Sequence, residues 1–204
     1  LRKGAAIGLF GGSFNPAHGG HRLVSLEVMR RFGLDEVWWL VSPQNPLKPV
    51  AGMAPLAARL ASARAVARHP RIRVTDLEAR LGTQLTADTI AALRALHPKA
   101  RFLWIMGADN LLQFHRWHDW RGIARMVPIV VVARPGYGGR SQFAPAMGWL
   151  RRFRRRSPAG WRDRTLPSLY VLPQALDPRS ATEIRRADPR WAESLLPSSD
   201  RGAS

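Results

Sequence analysis

Short apolar runs alternate with helical stretches along most of this chain, and that alternation narrows the fold more than any other feature. AAIGLF, EVWWLVS, RIRVTDLE, RFLWIMG, PIVVVARPGYGG and SLYVLP are apolar or β-branched and bounded by turn residues, so they read as strands. Between them stand GHRLVSLEVMRRFG, APLAARLASARAVARHP, TADTIAALRALHP and ADNLLQFHRWHDWRGIARM, which read as helices, and SATEIRRA opens one more. Strands that alternate with helices predict an α/β fold, a Rossmann-like parallel sheet with helices on both faces. Such a sheet binds ligands beyond the carboxyl ends of its strands, where the strand order reverses. The expected organisation is one domain over 1–197, with an arginine-rich surface excursion at about 139–166 and a polar tail at 198–204.

At 204 residues and 46% hydrophobic, the chain can bury a proper core. No cysteine is present, which excludes a disulfide framework, a thiolate metal site and a thiol nucleophile. No apolar run nears the roughly 18 residues of a membrane span, so a cytoplasmic protein without a membrane partner is expected. The formal net charge of +18 favours anionic partners, from nucleic acid to phosphorylated small molecules. An arginine-rich compositional habit gives the same count without a polymeric ligand, and that reading is preferred. The densest block, RRFRRR at 151–156, lies beside Trp149, Phe153 and Trp161. Trp149 and Phe153 stand at i, i+4, as on a docked amphipathic helix.

GGSFNPAHGGH occupies the loop after the first strand and the start of the first helix. Glycines there let backbone N–H groups approach an anion, and the helix amino end adds partial positive charge. The spacing is neither a dinucleotide fingerprint nor a Walker A loop. His18 and His21 are one turn apart and can face the same ligand. Three readings remain open on the residues alone: an i, i+3 metal pair, two rings satisfying local backbone groups, or two donors over a phosphoryl group.

The stretch resembles the G-G-[ST]-F-[DN]-P-x-H-x-G-H signature of the H-x-G-H nucleotidyltransferase superfamily. From about Ala6 to Pro197 the chain is similar to the bacterial nicotinate-nucleotide adenylyltransferase family. SPQNPLK, LTADTI, GADNLLQFHRWHDW, ARPGY and RSATEIR follow in the family's order, with Leu85 and Arg179 replacing the usual aromatic and isoleucine. The resemblance implies adenylyl transfer from ATP to nicotinate mononucleotide, by direct in-line attack, with Mg²⁺ carried on ATP phosphates and no metal held by protein side chains. It implies catalytic roles for His18, His21 and Arg185. ATP contacts are implied at Gly11, Gly12, Ser13, Phe14, His21, Gly107, Asp109, Ser180, Thr182 and Arg185. Nicotinate mononucleotide contacts are implied at Asn15, Lys48, Thr86, Trp117, His118 and Arg134. Nicotinamide mononucleotide and phosphopantetheine are the alternative acceptors. A nucleic-acid binder on a degenerate scaffold is the alternative class, and the presence of His18, His21 and Arg185 together argues against it.

Overall fold

Ala6–Gly12 forms the first strand, β1, buried from Ala6 to Phe10 as a run covered on both faces must be. This computed structural model describes residues 2–43, 51–133, 143–172 and 181–195. Helix α1 (Gly19–Phe32) follows and ends at Gly33, whose φ of 58° is the left-handed conformation that glycine adopts without a Cβ penalty. β2 (Glu36–Val41), α2 (Leu56–Ala67) and β3 (Ile72–Thr75) come next. The stretch RIRVTDLE is strand only as far as Thr75. Beyond it, Leu77–Leu81 turns into a short helix, α3, because Leu77 and Leu81 are spaced for a helical face.

α4 (Thr86–Leu96), β4 (Arg101–Gly107), α5 (Ala108–Gln113), α6 (Trp120–Met126) and β5 (Ile129–Val132) complete the central units. The remaining described elements are α7 (Met147–Leu150), β6 (Arg154–Arg155), β7 (Leu169–Leu172) and α8 (Ala181–Ala187). The strands form one parallel sheet in the order β3-β2-β1-β4-β5-β7-β6. The chain runs outward from β1 to β3, then returns to lay β4 on the other side of β1. The order therefore reverses between β1 and β4, and the crevice expected for a ligand opens beyond their carboxyl ends.

Side chains of each strand divide between two cores by the period of 2. Ile7, Leu9, Trp104 and Met106 pack with Ile90, Leu93 and Ile123 under the α4–α6 layer. Ala6, Phe10, Leu103 and Ile105 pack with Val24, Val28, Leu60 and Ala63 under α1 and α2. Each fully buried Leu, Ile, Val or Phe side chain contributes about 1.5–3 kcal/mol relative to leaving it in water.

The arginine-rich excursion is built into this frame. Met147 and Leu150 of α7 are buried, and Trp161 donates its Nε1–H to the Phe32 carbonyl at 2.8 Å. β6 pairs with β7, setting Arg154 opposite Leu169. Arg151, Arg152, Arg154 and Arg156 stay exposed, so the edge strand is blunted by charge. Trp149 packs edge-on against Trp120 at 5.5 Å and against Phe153 at 4.8 Å. The α-helical turn ends at Leu150 and continues as a 3₁₀ turn over Arg151–Phe153, so Trp149 and Phe153 meet at i, i+4 along one short helical stretch. Among the described residues no helix is long and apolar enough to cross a membrane.

Candidate functional site

The exits of β1 and β4 emerge side by side, since Phe10 lies opposite Ile105 and each strand continues two residues to its glycine, Gly12 and Gly107. A side chain at Gly11 would stand 2.3 Å from the indole of Trp104, a residue only 1% exposed. Glycine is needed there so that β4's largest side chain can pack against β1's backbone. Beyond Gly12, Phe14 adopts a φ of 46°, costly for a side chain of its size. Its ring is held in place by stacking on Trp39 at 5.0 Å and by the His21 ring at 4.8 Å.

His18 and His21 cap the amino end of α1 reciprocally. The Gly20 N–H donates to His18 Nδ1 at 3.2 Å, and the His18 N–H donates to His21 Nδ1 at 3.2 Å. An Nδ1 that accepts carries no hydrogen, so in the neutral ring the hydrogen sits on Nε2. The caps thus fix both rings in the Nε2–H tautomer, with centroids 4.0 Å apart at the positive end of a helix. His18 is 5% exposed, and Ser25 accepts Trp39 Nε1–H while donating to the His21 carbonyl. Paired ring donors at a helix amino end suit an anion. Metal binding needs a bare ring nitrogen, and both Nδ1 atoms are already used.

Arg185 of α8 reaches this loop from far along the chain. One guanidinium nitrogen donates to the Asn15 carbonyl and another to Thr182 Oγ1 at 3.3 Å. The Asn15 side chain is turned to the segment ahead of α2, donating to the Gly52 carbonyl at 2.8 Å and accepting from the Ala54 N–H at 3.2 Å. Ser13, Phe14, Asn15, His18, His21, Thr182 and Arg185 therefore form one cluster.

On the β4 side, Asp109 lies in the first turn of α5, whose cap is Gly107. Asp109 is thus a helical residue rather than the cap of a helix starting at Asn110. Trp117 is half-buried, edge-on to Trp104 at 6.1 Å and to Phe114 at 5.3 Å. Thr86 is the first residue of α4, whose cap is Leu85, and His118 is exposed. Lys48, Arg134 and Ser180 lie outside the described residues.

Two residues that the sequence did not mark tie the cluster together. Arg59 of α2 is 1% exposed. It donates to the carbonyls of Ala54 at 2.8 Å, Ser13 at 2.9 Å, Ser42 at 2.7 Å and Pro43 at 2.9 Å. It joins the exits of β1 and β2 to the start of α2, and burial lowers its pKa from the ordinary arginine value. Ser62, one turn on, accepts from the Ala17 N–H at 3.2 Å. The sequence did hold a signal. Arg59 occupies a core-facing place in the stripe Leu56, Arg59, Leu60, Ala63, Ala67, where an arginine needs partners.

Glu78 of α3 is 4% exposed, and its Oε2 has no hydrogen-bond partner among the described residues. Burial pushes its carboxyl up to about 7, and a hydrogen bond with Ser42 offsets part of that rise. Read as part of a strand, RIRVTDLE gave no sign of this residue. Its folded value lies above the ordinary carboxylate range, so between about pH 4.5 and 7 the folded chain keeps a proton that the unfolded chain has lost. Stability from this group is full below that window and is lost as pH rises through it. Glu78→Gln is expected to match the parent near pH 4 and to exceed it by on the order of 3 kcal/mol above pH 7. Urea unfolding of both chains at pH 5 and pH 8 checks this, and a stability difference independent of pH contradicts it.

Comparison with known proteins gives the family. Residues 9–187 match the family model described as cytidylyltransferase-like. A probable nicotinate-nucleotide adenylyltransferase of Erythrobacter litoralis is 57% identical over 187 residues, covering 90% of this chain and 85% of the relative. Another from Cereibacter sphaeroides is 64% identical over 140 residues, covering 69% of this chain and 75% of that one. The Plasmodium falciparum nicotinic acid mononucleotide adenylyltransferase, solved in complex with NaAD, superposes with a TM-score of 0.65 at 16% identity. That likeness covers 89% of this chain and 83% of the Plasmodium chain, and shows the shared fold. The chain belongs to the cytidylyltransferase-like family and, within it, to the nicotinate-nucleotide adenylyltransferases.

Proposed function

We propose that the chain transfers the adenylyl group of ATP to nicotinate mononucleotide, giving nicotinate adenine dinucleotide and pyrophosphate, a step of NAD synthesis. The observation that carries this reading is the reciprocal histidine cap, which holds two Nε2–H donors at a helix amino end, on a loop that Arg185 bonds at the Asn15 carbonyl. The relatives named for this activity support it.

The reaction is a single displacement. A phosphate oxygen of the mononucleotide attacks the α-phosphorus of ATP, and the bond from that phosphorus to the bridging oxygen breaks. Negative charge grows on the α-phosphate oxygens and on the departing pyrophosphate. His18 and His21 would donate to those oxygens as the charge grows, which is where fixed donors lower a barrier most. Arg185 would meet the leaving phosphates with its fork of N–H groups, and Thr182 would steady it. No covalent intermediate is needed, so positioning and charge neutralisation carry the rate.

Gly107 and Asp109 would face the adenosine of ATP, the carboxylate accepting from ribose hydroxyls. Trp117 would stack on the pyridine ring, with Thr86 and His118 donating to the nicotinate half. Lys48, Arg134 and Ser180 complete the proposed contacts, the first two toward the mononucleotide and the last toward ATP. The Asn15 side chain would act on the acceptor indirectly, by holding the loop at Gly52–Ala54. Among the described residues no group of three or more His, Asp or Glu could hold a metal ion. The donor set of imidazole, guanidinium and backbone N–H fits a Mg²⁺ that arrives on ATP phosphates. That ion would offset phosphate charge. The reading places the reaction in the cytoplasm, where ATP is available.

Incubation with Mg-ATP and nicotinate mononucleotide, nicotinamide mononucleotide or phosphopantetheine, each separately, tests the reading by product and pyrophosphate. Turnover with nicotinate mononucleotide is expected to exceed the others by at least about a hundredfold, the discrimination a site gains when buried polar groups expect a particular partner. A preference for either other acceptor overturns the choice of substrate.

A further inference from the structure

The site above accounts for little of the chain's charge of +18. Part of the remainder converges at the opposite end of the sheet, around a cavity of about 450 Å³. β4 runs from Arg101, on the cavity wall, to Gly107, beside the histidine loop. At ~3.3 Å per residue the two places stand about 20 Å apart. The cavity floor is apolar, formed by Phe102, Val127 and Trp161, and its rim carries Arg94, Arg101, Arg162 and Arg164. Among the described residues no carboxylate belongs to the lining.

These arginines are positioned more than they are neutralised. Arg162 donates to the Gly33 carbonyl at 2.7 Å and lies within electrostatic reach of Asp35, which is itself paired with Arg2; Arg164 donates to the Ala159 carbonyl at 2.8 Å. Asp163 approaches Arg101 only to 3.9 Å and is largely exposed, so that pair is weak. Arg94 has neither an ion pair nor a hydrogen bond from its side chain among the described residues. α4 and α6 end here, and each helix carboxyl end brings about half a negative charge. Two half charges and the carboxylates of Asp163 and Asp35, the latter shared with Arg2, stand against four guanidinium groups and leave between about one and two positive charges uncompensated.

We infer that this cavity is a second ligand site, for a nucleotide-sized phosphorylated molecule bearing two to three negative charges. The volume lies within the range of about 300–1,000 Å³ that small-molecule sites occupy. Guanidinium forks on the rim match phosphate oxygens, and the apolar floor matches the flat, uncharged part of the ligand. Inorganic phosphate alone would leave the floor without use.

Calorimetric titration of ADP into the full chain, against an Arg94→Ala/Arg101→Ala double variant, tests this. Both side chains are exposed and neither makes a close bond, so the variant keeps its fold and its adenylyl transfer. The variant is expected to bind one ADP fewer per chain than the parent, or to hold that ADP at least about tenfold more weakly. The result holds whether or not ADP also enters the histidine site. Equal stoichiometry and affinity in the two chains overturns the inference. So does an unchanged ADP titration combined with lost retention of single-stranded DNA, which assigns the surface to nucleic acid.

Discussion

His18→Asn and His21→Gln are each expected to lower kcat for adenylyl transfer by at least about a hundredfold, with stability held within about 1 kcal/mol of the parent. These substitutions separate two duties that one ring performs. Asn is among the best residues at a helix cap, and Gln three positions on completes a capping box, so the local bonds survive. What disappears is the rigid Nε2–H on the far side of each ring. Alanine would remove both functions and leave a loss of rate open to a folding explanation. Steady-state kinetics with Mg-ATP and nicotinate mononucleotide, beside thermal melts, measures both. A cap-preserving variant that keeps its kcat would reduce the histidines to local partners of the backbone. The bonds at Nδ1 show that they are such partners, and the prediction is that they are donors as well.

Arg59→Met is expected to cost about 3 kcal/mol, a fall in melting temperature of roughly 6–12 °C for a chain of this size. Met nearly fills the volume but leaves four carbonyls, at Ser13, Ser42, Pro43 and Ala54, without their donor. Each buried acceptor stripped of its partner costs about 1–3 kcal/mol, offset by no longer burying a cation. Arg59→Lys should fall between, since an ammonium can serve only part of so spread a set. The same variants should lower kcat/KM further than stability requires, because Ser13 and the loop ahead of His18 lose their tether. Kinetics well below the melting temperature isolates that part. A Met variant that melts with the parent and turns over with it would contradict the assigned tether.

The sheet was legible because each strand was an uninterrupted apolar run, and such a run at 129–132 or 101–107 has few other places to go. α3 was not legible, because Val74 to Leu81 passes from alternation to a helical spacing within a few residues. β6 was hidden for the opposite reason. Arg154 and Arg155 have no strand-like character, and only the neighbouring edge of β7 recruits them. At the site, the histidine pair announced itself through spacing. Its tautomer could not be read, because that depends on where two backbone N–H groups point. Arg59 and Glu78 were obscured by chemistry that looks like surface. In a chain so rich in arginine, only the place of Arg59 in the apolar stripe of α2 sets it apart from its exposed neighbours.

The bond between Arg185 and the Asn15 carbonyl spans nearly the whole length of the chain. Trp191, buried at 8%, and the 3₁₀ turn Glu193–Leu195 belong to the same late segment, and that turn packs against α2, the helix that carries Arg59. During synthesis, the strands up to β5 can pair while this segment is still inside the ribosome. The histidine loop is then in place, but its arginine is not. A nascent chain released at about residue 175 would therefore own most of a sheet and lack the guanidinium that bonds its histidine loop at Asn15. If Arg185 serves as proposed, competence waits for the part of the chain that carries Arg185 and Trp191.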